Sequence, residues 1–223
     1  MSKIIDLTHT LSSEIPGWDL GCKFELETTV DYKDCTPPNL FRVQKINMLA
    51  QMGTHMDAPA HCVPGAATID TIEVEDLVTD CVVIRVPAGD DENYLVKPEV
   101  IEKFEKENGE IKPNTFVIFY TGWGKHWNNK DKYRNDLKFP SISKEAAEFL
   151  LERDIAGIGI DTLSPDSGEK DFPVHQVMLG RGLYIVENVL NREDMPAVGA
   201  KIHIMPLKIK DGTESPIRLV AFV

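Results

Sequence analysis

The apolar and polar positions along the chain form mainly strand-like patterns. Some stretches alternate apolar with polar or β-branched residues, and others are short apolar blocks bounded by turn-forming residues; these two patterns are typical of half-buried and fully buried strands. They predict strands at residues 3–7, 22–30, 40–49, 80–86, 115–120, 155–160, 182–189, 200–209 and 217–223. Strands therefore dominate the predicted secondary structure.

Helical spacing is rarer. Pro98 suits a first helical position and is followed by apolar residues at helical spacing, which predicts a helix over 98–107. Ser143 is a suitable N-cap for a helix over 144–153, and Pro173 predicts a short helix that ends at Gly180. Strands interrupted by two or three helices indicate a mixed α/β domain without regular β-α-β alternation.

The composition narrows the class of protein. The 223 residues include 24 Lys and Arg against 36 Asp and Glu, a formal charge of −12. No repeat or Ser/Gly linker divides the chain, so we expect one domain over residues 1–223. The acidic balance argues against nucleic acid or an anionic membrane as a partner and leaves a small molecule as the expected one.

The N-terminus and the cysteines predict a cytoplasmic location. Asp6 interrupts the first residues before any apolar signal segment can form, and no run of 18 apolar residues exists. Four cysteines, Cys22, Cys35, Cys62 and Cys81, form no Cys-x-x-Cys pair. We expect them to be buried reduced thiols, and a disulfide is the alternative that the sequence leaves open.

One short stretch, residues 51–61, concentrates chemically active side chains. In an extended backbone Gln51, His55, Asp57 and His61 would share one face, because all are odd-numbered. Imidazole and carboxylate groups are the usual ligands of catalytic zinc or manganese. Spacing alone leaves a plain hydrogen-bonded cluster as the alternative interpretation.

A second candidate pair lies further along the chain. His175 follows Pro173, and Glu187 shares a predicted strand face with the apolar residues Leu183 and Ile185. A carboxylate on an apolar face needs a cation, since burial of an unpaired charge is costly. The cation could be a metal ion or a Lys or Arg side chain.

These residues resemble the signature of a known family. Residues 51–61 resemble the pattern H-x-G-T-H-x-D-x-P-x-H of the cyclase family of metal-dependent hydrolases, which includes bacterial kynurenine formamidases and isatin hydrolases. Companion matches lie at residues 5–9, 120–123 and 159–166, and at His175 and Glu187. The resemblance implies a compact mixed α/β domain with a barrel-like sheet, assembled as a homodimer or homotetramer.

The resemblance also implies roles for individual residues. The metal-binding positions of the family correspond to Gln51, His55, Asp57, His175 and Glu187, which would hold one or two zinc or manganese ions. His61 corresponds to the group that donates and accepts protons, and Trp18 to an aromatic contact for an aryl substrate. Gln51 departs from the family pattern, because the family has histidine there and an amide oxygen is a weaker ligand.

Three functions follow from this set of residues. The first is a metal-dependent hydrolase of a linear aryl formamide such as N-formylkynurenine, with His61 as general acid and base. The second is an isatin-type hydrolase of a cyclic amide or a lactone. The third is a non-catalytic small-molecule-binding relative, which only the substitution at Gln51 favours.

Overall fold

The computed structural model describes residues 3–19, 21, 23–168 and 171–223. Within these ranges lie four α-helices, α1 Pro98–Asn108, α2 Lys130–Arg134, α3 Lys144–Leu151 and α4 Pro173–Gly180. The strands are β1 Ile4–Asp6, β2 Glu25–Val30, β3 Val43–Asn47, β4 His55–Asp57, β5 Val78–Arg85, β6 Leu95–Val96, β7 Thr115–Tyr120, β8 Ser141–Ile142, β9 Gly157–Ile160, β10 Tyr184–Glu187, β11 Ala200–Pro206 and β12 Glu214–Phe222.

Seven of these strands close into a barrel. Their order is β12-β11-β5-β7-β9-β10-β4, and β4 pairs again with β12 to complete the ring, while β1 adds to the outside edge of β12. The β5-β7-β9-β10 pairs are parallel and the remaining pairs of the ring are antiparallel. The predicted α/β class with a barrel-like sheet is confirmed.

The central strands are buried on both faces, which explains their continuous apolar sequence. On β7, Phe116 and Ile118 belong to the apolar cluster on the inner side of the barrel. Val117 and Phe119 alternate with them and pack in a second cluster that contains apolar residues of α1, α3 and α4. The barrel therefore has a filled interior and an outer layer of helices.

Residues 51–61 do not form one extended segment, which corrects the interpretation of a single shared face. Only His55–Asp57 is strand, Gln51 lies in the preceding turn, and Pro59–His61 is a short 3₁₀ helix. Gly53 has a φ of +73°, a left-handed conformation that favours glycine, and it ends the turn before the strand. Pro59 cannot donate a ladder hydrogen bond, so the strand ends before it.

Other boundaries shift modestly. The predicted strands at 40–49 and 200–209 are shorter in the structure, at Val43–Asn47 and Ala200–Pro206. The helices predicted at 98–107, 144–153 and 173–180 all form, and the five-residue helix Lys130–Arg134 adds to them. Among the described cysteines, Cys81 is buried while Cys35 and Cys62 are only partly buried, and all three are free thiols; Cys22 lies outside the described residues.

Strands β2 and β3 stand apart from the barrel. They pair only with each other in a two-stranded antiparallel sheet, and both are exposed to solvent along nearly their whole length. We call residues 23–49 the arm. No helix in the described part of the chain is both long and apolar enough to cross a bilayer.

We predict that Gly157→Ala destabilises the barrel by about 1–3 kcal/mol, as overpacking of a rigid core does. A Cβ atom at Gly157 would lie 2.5 Å from the backbone oxygen of Tyr184 on the neighbouring strand. Gly180→Ala is the matched control, because a Cβ atom there meets no atom within 4 Å. Urea unfolding followed by circular dichroism measures both variants, and equal midpoints would contradict the prediction.

Candidate metal centre

Two adjacent barrel strands bring three of the candidate ligands together. In the antiparallel pair of β4 and β10, Glu187 lies directly opposite His55, and Asp57 lies opposite Ile185. Directly opposed residues of adjacent strands point to the same side of a sheet, as do residues two apart on one strand. His55, Asp57 and Glu187 therefore share one face, and one ligand atom from each lies within 4.8 Å of the others.

Helix α4 supplies the fourth candidate ligand, His175. Asp166 accepts hydrogen bonds from the backbone N–H groups of Val174 and His175, at 2.9 and 3.1 Å, and so caps the first turn of the helix. The same carboxylate accepts a hydrogen bond from Nδ1 of His175 at 2.7 Å. Asp166 thus fixes both the start of the helix and the orientation of the imidazole ring.

Both imidazoles turn the same ring nitrogen toward the carboxylates. Nδ1 of His55 donates to the carbonyl oxygen of Gly53 at 2.9 Å, which leaves Nε2 facing Asp57 and Glu187, at 3.4 Å from each. Nε2 of His175 lies 3.6 Å from Asp57 and 3.4 Å from Glu187. With Nδ1 protonated, each neutral ring directs a lone pair at two carboxylates, a repulsion that only a proton or a metal ion removes.

The geometry of this cluster fits a metal ion. Four ligand atoms at about 2.1 Å from an ion, in tetrahedral arrangement, lie about 3.4 Å from one another. The separations between Nε2 and the carboxylate oxygens, 3.4–3.6 Å, are close to this value and exceed ordinary hydrogen-bond lengths. His55 and His175 face different oxygens of each carboxylate, and the mutually close set of ligand atoms comes from His55, Asp57 and Glu187. Oδ1 of Asp57 is buried and has no hydrogen-bond partner. A buried carboxylate oxygen without a partner is costly, and a cation removes that cost.

The titration behaviour of the cluster follows from the same contacts. Burial lowers the pKa of both His55 and His175, but hydrogen bonds and charge from the surrounding carboxylates outweigh it and raise each pKa well above its usual range. For Asp57, burial raises the pKa, and the two facing imidazoles more than offset this and lower it. Without metal, the surrounding carboxylates therefore favour the protonated form of both imidazoles.

His61 stands beside this cluster and has a carboxylate partner of its own. Nδ1 of His61 lies 3.4 Å from Oε1 of Glu214, the first residue of β12. The barrel brings Glu214 there because β12 pairs with β4, placing Glu214 directly opposite Asp57. The His61 side chain is 31% exposed, so its ring is accessible from solvent. A carboxylate at Nδ1 favours the tautomer that leaves Nε2 free as a base.

A cavity of about 300 Å³ opens onto the candidate ligands. Trp18 and Phe172 form an aromatic wall, with ring centroids 5.8 Å apart, and Phe172 in turn packs edge-on against His175 at 5.7 Å. The described residues that line the cavity are Trp18, Gln51, His55, Asp57, His61, Cys62, Ser164, Phe172, His175 and Glu187. Such a concave site with an apolar wall and converging polar groups is typical of a small-molecule site.

All seven residues that the sequence analysis singled out line this one cavity. The sequence analysis did not single out two further residues that hold the candidate site in place, Asp166 and Glu214. Asp166 lies within the matched residues 159–166 but received no role, because it precedes Pro173 by seven positions and a local capping signal lies immediately before its helix. Glu214 lies 153 positions after His61, and no local pattern connects them.

The closed α/β barrel carries a buried cluster of two histidines and two carboxylates that could hold a metal ion, which is the type of site that hydrolases use. The family comparison makes the class more specific: the model described as "Putative cyclase" matches residues 5–167 of this chain. The chain belongs to the cyclase family.

Individual relatives agree with this assignment. The chain is 31% identical to isatin hydrolase of Roseibium aggregatum over 186 residues, covering 77% of this chain and 71% of that protein. It is 25% identical to kynurenine formamidase of Erythrobacter litoralis over 221 residues, covering 98% of this chain and 93% of that protein. The solved structure of isatin hydrolase A from Labrenzia aggregata bound to benzyl benzoate superposes with a TM-score of 0.91 at 32% identity, covering 100% and 94% of the two chains.

We predict that Asp166→Asn weakens metal binding about 10–100-fold without unfolding the protein. The amide loses the charge that orients His175 but keeps an oxygen able to cap the helix. Asp70→Asn is the control, since Asp70 accepts hydrogen bonds at the surface, away from the cavity. Isothermal titration with Zn²⁺ and Mn²⁺ measures the affinities, and equal values for both variants would contradict the prediction.

We further predict that metal binding releases protons and tightens as pH rises. The pKa values of His55 and His175 are raised in the folded, metal-free protein, so both rings are protonated below those values and an incoming ion must displace the protons. Titration heats at neutral pH should depend on the ionisation enthalpy of the buffer. If the heat of metal binding is the same in phosphate and in Tris buffer, no proton is released from the protein, and the prediction is contradicted.

Proposed function

We propose that this chain is a metal-dependent hydrolase that cleaves the C–N bond of a small aryl amide. The observation that carries the proposal is the cluster of His55, Asp57, His175 and Glu187 at the base of a cavity walled by Trp18 and Phe172. A linear formamide, N-formylkynurenine or a similar molecule, is the first candidate substrate. Its aryl ring would pack on the aromatic wall.

The chemical types of the four candidate ligands restrict which metal ion could bind. Two imidazoles and two carboxylates suit zinc or manganese, and we propose one ion held by these four residues. When bound, such an ion polarises the scissile carbonyl and lowers the pKa of water toward neutrality. Gln51 lines the same cavity, and its amide oxygen is an additional candidate ligand.

His61 supplies the proton transfers in this proposal. Its ring lines the cavity, and the centroids of the His61 and His175 rings are 5.9 Å apart. Held by Glu214 at Nδ1, the ring uses Nε2 to accept a proton from the attacking water and returns that proton to the leaving amine. A neutral amine leaves more easily than an amide anion, so the second transfer completes the cleavage.

An isatin-type cyclic amide is the second candidate substrate, and a specific observation favours it. The described residues lining the cavity include no Lys or Arg, whereas N-formylkynurenine carries an amino-acid carboxylate that would need a positive partner. Isatin is uncharged and has no such tail.

The test is an assay of the metal-loaded protein on N-formylkynurenine and on isatin. We expect hydrolysis of at least one, and the ratio of the two kcat/KM values assigns the substrate. His61→Ala should retain the metal content of the parent and lose about 10²–10⁴ in kcat, the usual range for acid–base catalysis. His126→Ala, outside the lining of the cavity, is the matched control.

Two outcomes would overturn parts of the proposal. Full activity of His61→Ala would remove His61 from the mechanism. If the parent is inactive with both metals and both substrates while Gln51→His is active, the chain is a non-catalytic small-molecule-binding relative. The expected cytoplasmic location accompanies this proposal and rests on the free thiols of the described cysteines. The expected absence of a nucleic-acid partner rests on the acidic composition.

A further inference from the structure

Asn188 directly follows the candidate ligand Glu187 and has an unusual backbone conformation. Its φ is +55°, in the left-handed region that asparagine adopts more readily than most residues. Strand β10 ends at Glu187, and Asn188 is buried, with 2% of its surface exposed. A buried side-chain amide needs hydrogen-bond partners inside the protein.

Both ends of the Asn188 amide have a buried partner. Nδ2 donates a hydrogen bond to the carbonyl oxygen of Gly53 at 3.0 Å, and Oδ1 accepts one from the hydroxyl of Tyr133 at 3.0 Å. The Tyr133 hydroxyl shares its proton between this oxygen and the carbonyl oxygen of Asp161, also at 3.0 Å. A carbonyl oxygen can only accept, so the amide must turn its nitrogen toward Gly53. The surroundings of Asn188 thus determine the orientation of its amide.

A second hydrogen bond joins the same two segments. The hydroxyl of Thr54 donates to the backbone oxygen of Asn188 at 2.7 Å. Residues 53–54 come directly before His55. Asn188 comes directly after Glu187, which lies opposite His55 in the sheet. We call the two hydrogen bonds between Asn188 and residues 53–54 the clasp. The clasp therefore connects the backbone next to one candidate ligand with the backbone next to another.

The clasp fixes the acceptor that orients His55. The carbonyl oxygen of Gly53 accepts from Nδ2 of Asn188 and also from Nδ1 of His55, so both of its lone pairs are used. His175 is held by a carboxylate, whereas His55 depends on this neutral oxygen, which is a weaker acceptor and belongs to a turn. Because the bond from Asn188 sets the plane of the peptide between residues 53 and 54, it also sets the direction of the imidazole ring.

We propose that Asn188 is a positioning residue for the candidate ligand His55 and acts through the carbonyl oxygen of Gly53. With the clasp formed, Nε2 of His55 stays directed at Asp57 and Glu187, 3.4 Å from each. Asn188 is not among the described residues that line the cavity, so its effect reaches the metal ion through the ligand and not through the substrate. This inference rests on the proposed metal centre, but the orientation of His55 can also be measured without metal.

The decisive variant is Asn188→Gly, with Asn114→Gly as its matched control. Both asparagines have left-handed backbones, with φ of +55° and +57°, so glycine fits either position without strain. Asn114 is exposed and lies outside the lining of the cavity. Asn188→Gly should weaken the binding of Zn²⁺ and Mn²⁺ about tenfold, the lower end of the range for residues that orient metal ligands, and Asn114→Gly should bind as the parent does. Isothermal titration measures the affinities, and an Asn188→Gly variant that binds as tightly as the control would overturn the proposal.

A measurement on the metal-free protein separates the orientation of His55 from a general loss of stability. NMR follows the exchange of the Nδ1 ring protons of His55 and His175 with solvent. In Asn188→Gly we expect the His55 proton to exchange about 2–10-fold faster than in the parent, as the loss of one hydrogen bond implies. The His175 proton, which Asp166 holds, should exchange at an unchanged rate. Equal acceleration of both protons, or of neither, contradicts the proposal.

Failure of the proposed function is distinguishable from failure of this inference. If the parent binds neither metal, the proposed metal centre is wrong, and the ring protons alone decide the role of Asn188. If circular dichroism shows that Asn188→Gly is unfolded, Tyr133→Phe replaces it, since the buried amide oxygen of Asn188 then loses its donor. Tyr120→Phe is its control, because the Tyr120 hydroxyl donates to the carbonyl oxygen of Leu190, outside the lining of the cavity. Metal affinities and ring-proton exchange that are equal in these two variants would then refute the role of Asn188.

Discussion

Two imidazole nitrogens that face two carboxylates in a buried cluster form the constraint around which this structure is organised. The second nitrogen of each ring is held by an acceptor, Gly53 for His55 and Asp166 for His175. The facing nitrogens can therefore meet the carboxylates of Asp57 and Glu187 favourably only with added positive charge. The protein builds the cluster at some cost to its own stability, which is typical of a site kept for function.

Barrel closure is what brings this cluster together. Strand β4 has only three residues, yet it pairs with β10 on one side and with β12 on the other. The first pairing sets Glu187 beside His55, and the second sets Glu214 near His61. One short strand thus connects the candidate metal ligands with the candidate proton-transfer pair, so a register shift in β4 would separate both at once.

The cavity and the arm share a structural base. Trp18 on the cavity wall and Phe24 and Met48 at the root of the arm pack in a single apolar cluster with the buried rings of Trp123 and Tyr133. Packing in such clusters is dense, so displacement of one member is felt by the others. The arm therefore extends from a region that also shapes the cavity.

Local sequence was sufficient to predict the buried strands, the three longer helices and seven of the ten described residues that line the cavity. Apolar blocks such as residues 115–120 leave few alternatives to a buried strand, and the family signature at 51–61 points to the candidate ligands that line the cavity. The extended form expected for 51–61 was wrong, because Gly53 and Pro59 confine the strand to three residues.

Pairings between distant segments carry no local signal. Glu214 beside His61, the anchoring of His175 by Asp166, and the solvent exposure of the arm depend on how the chain closes on itself, since periodicity shows which residues share a face but not what that face meets.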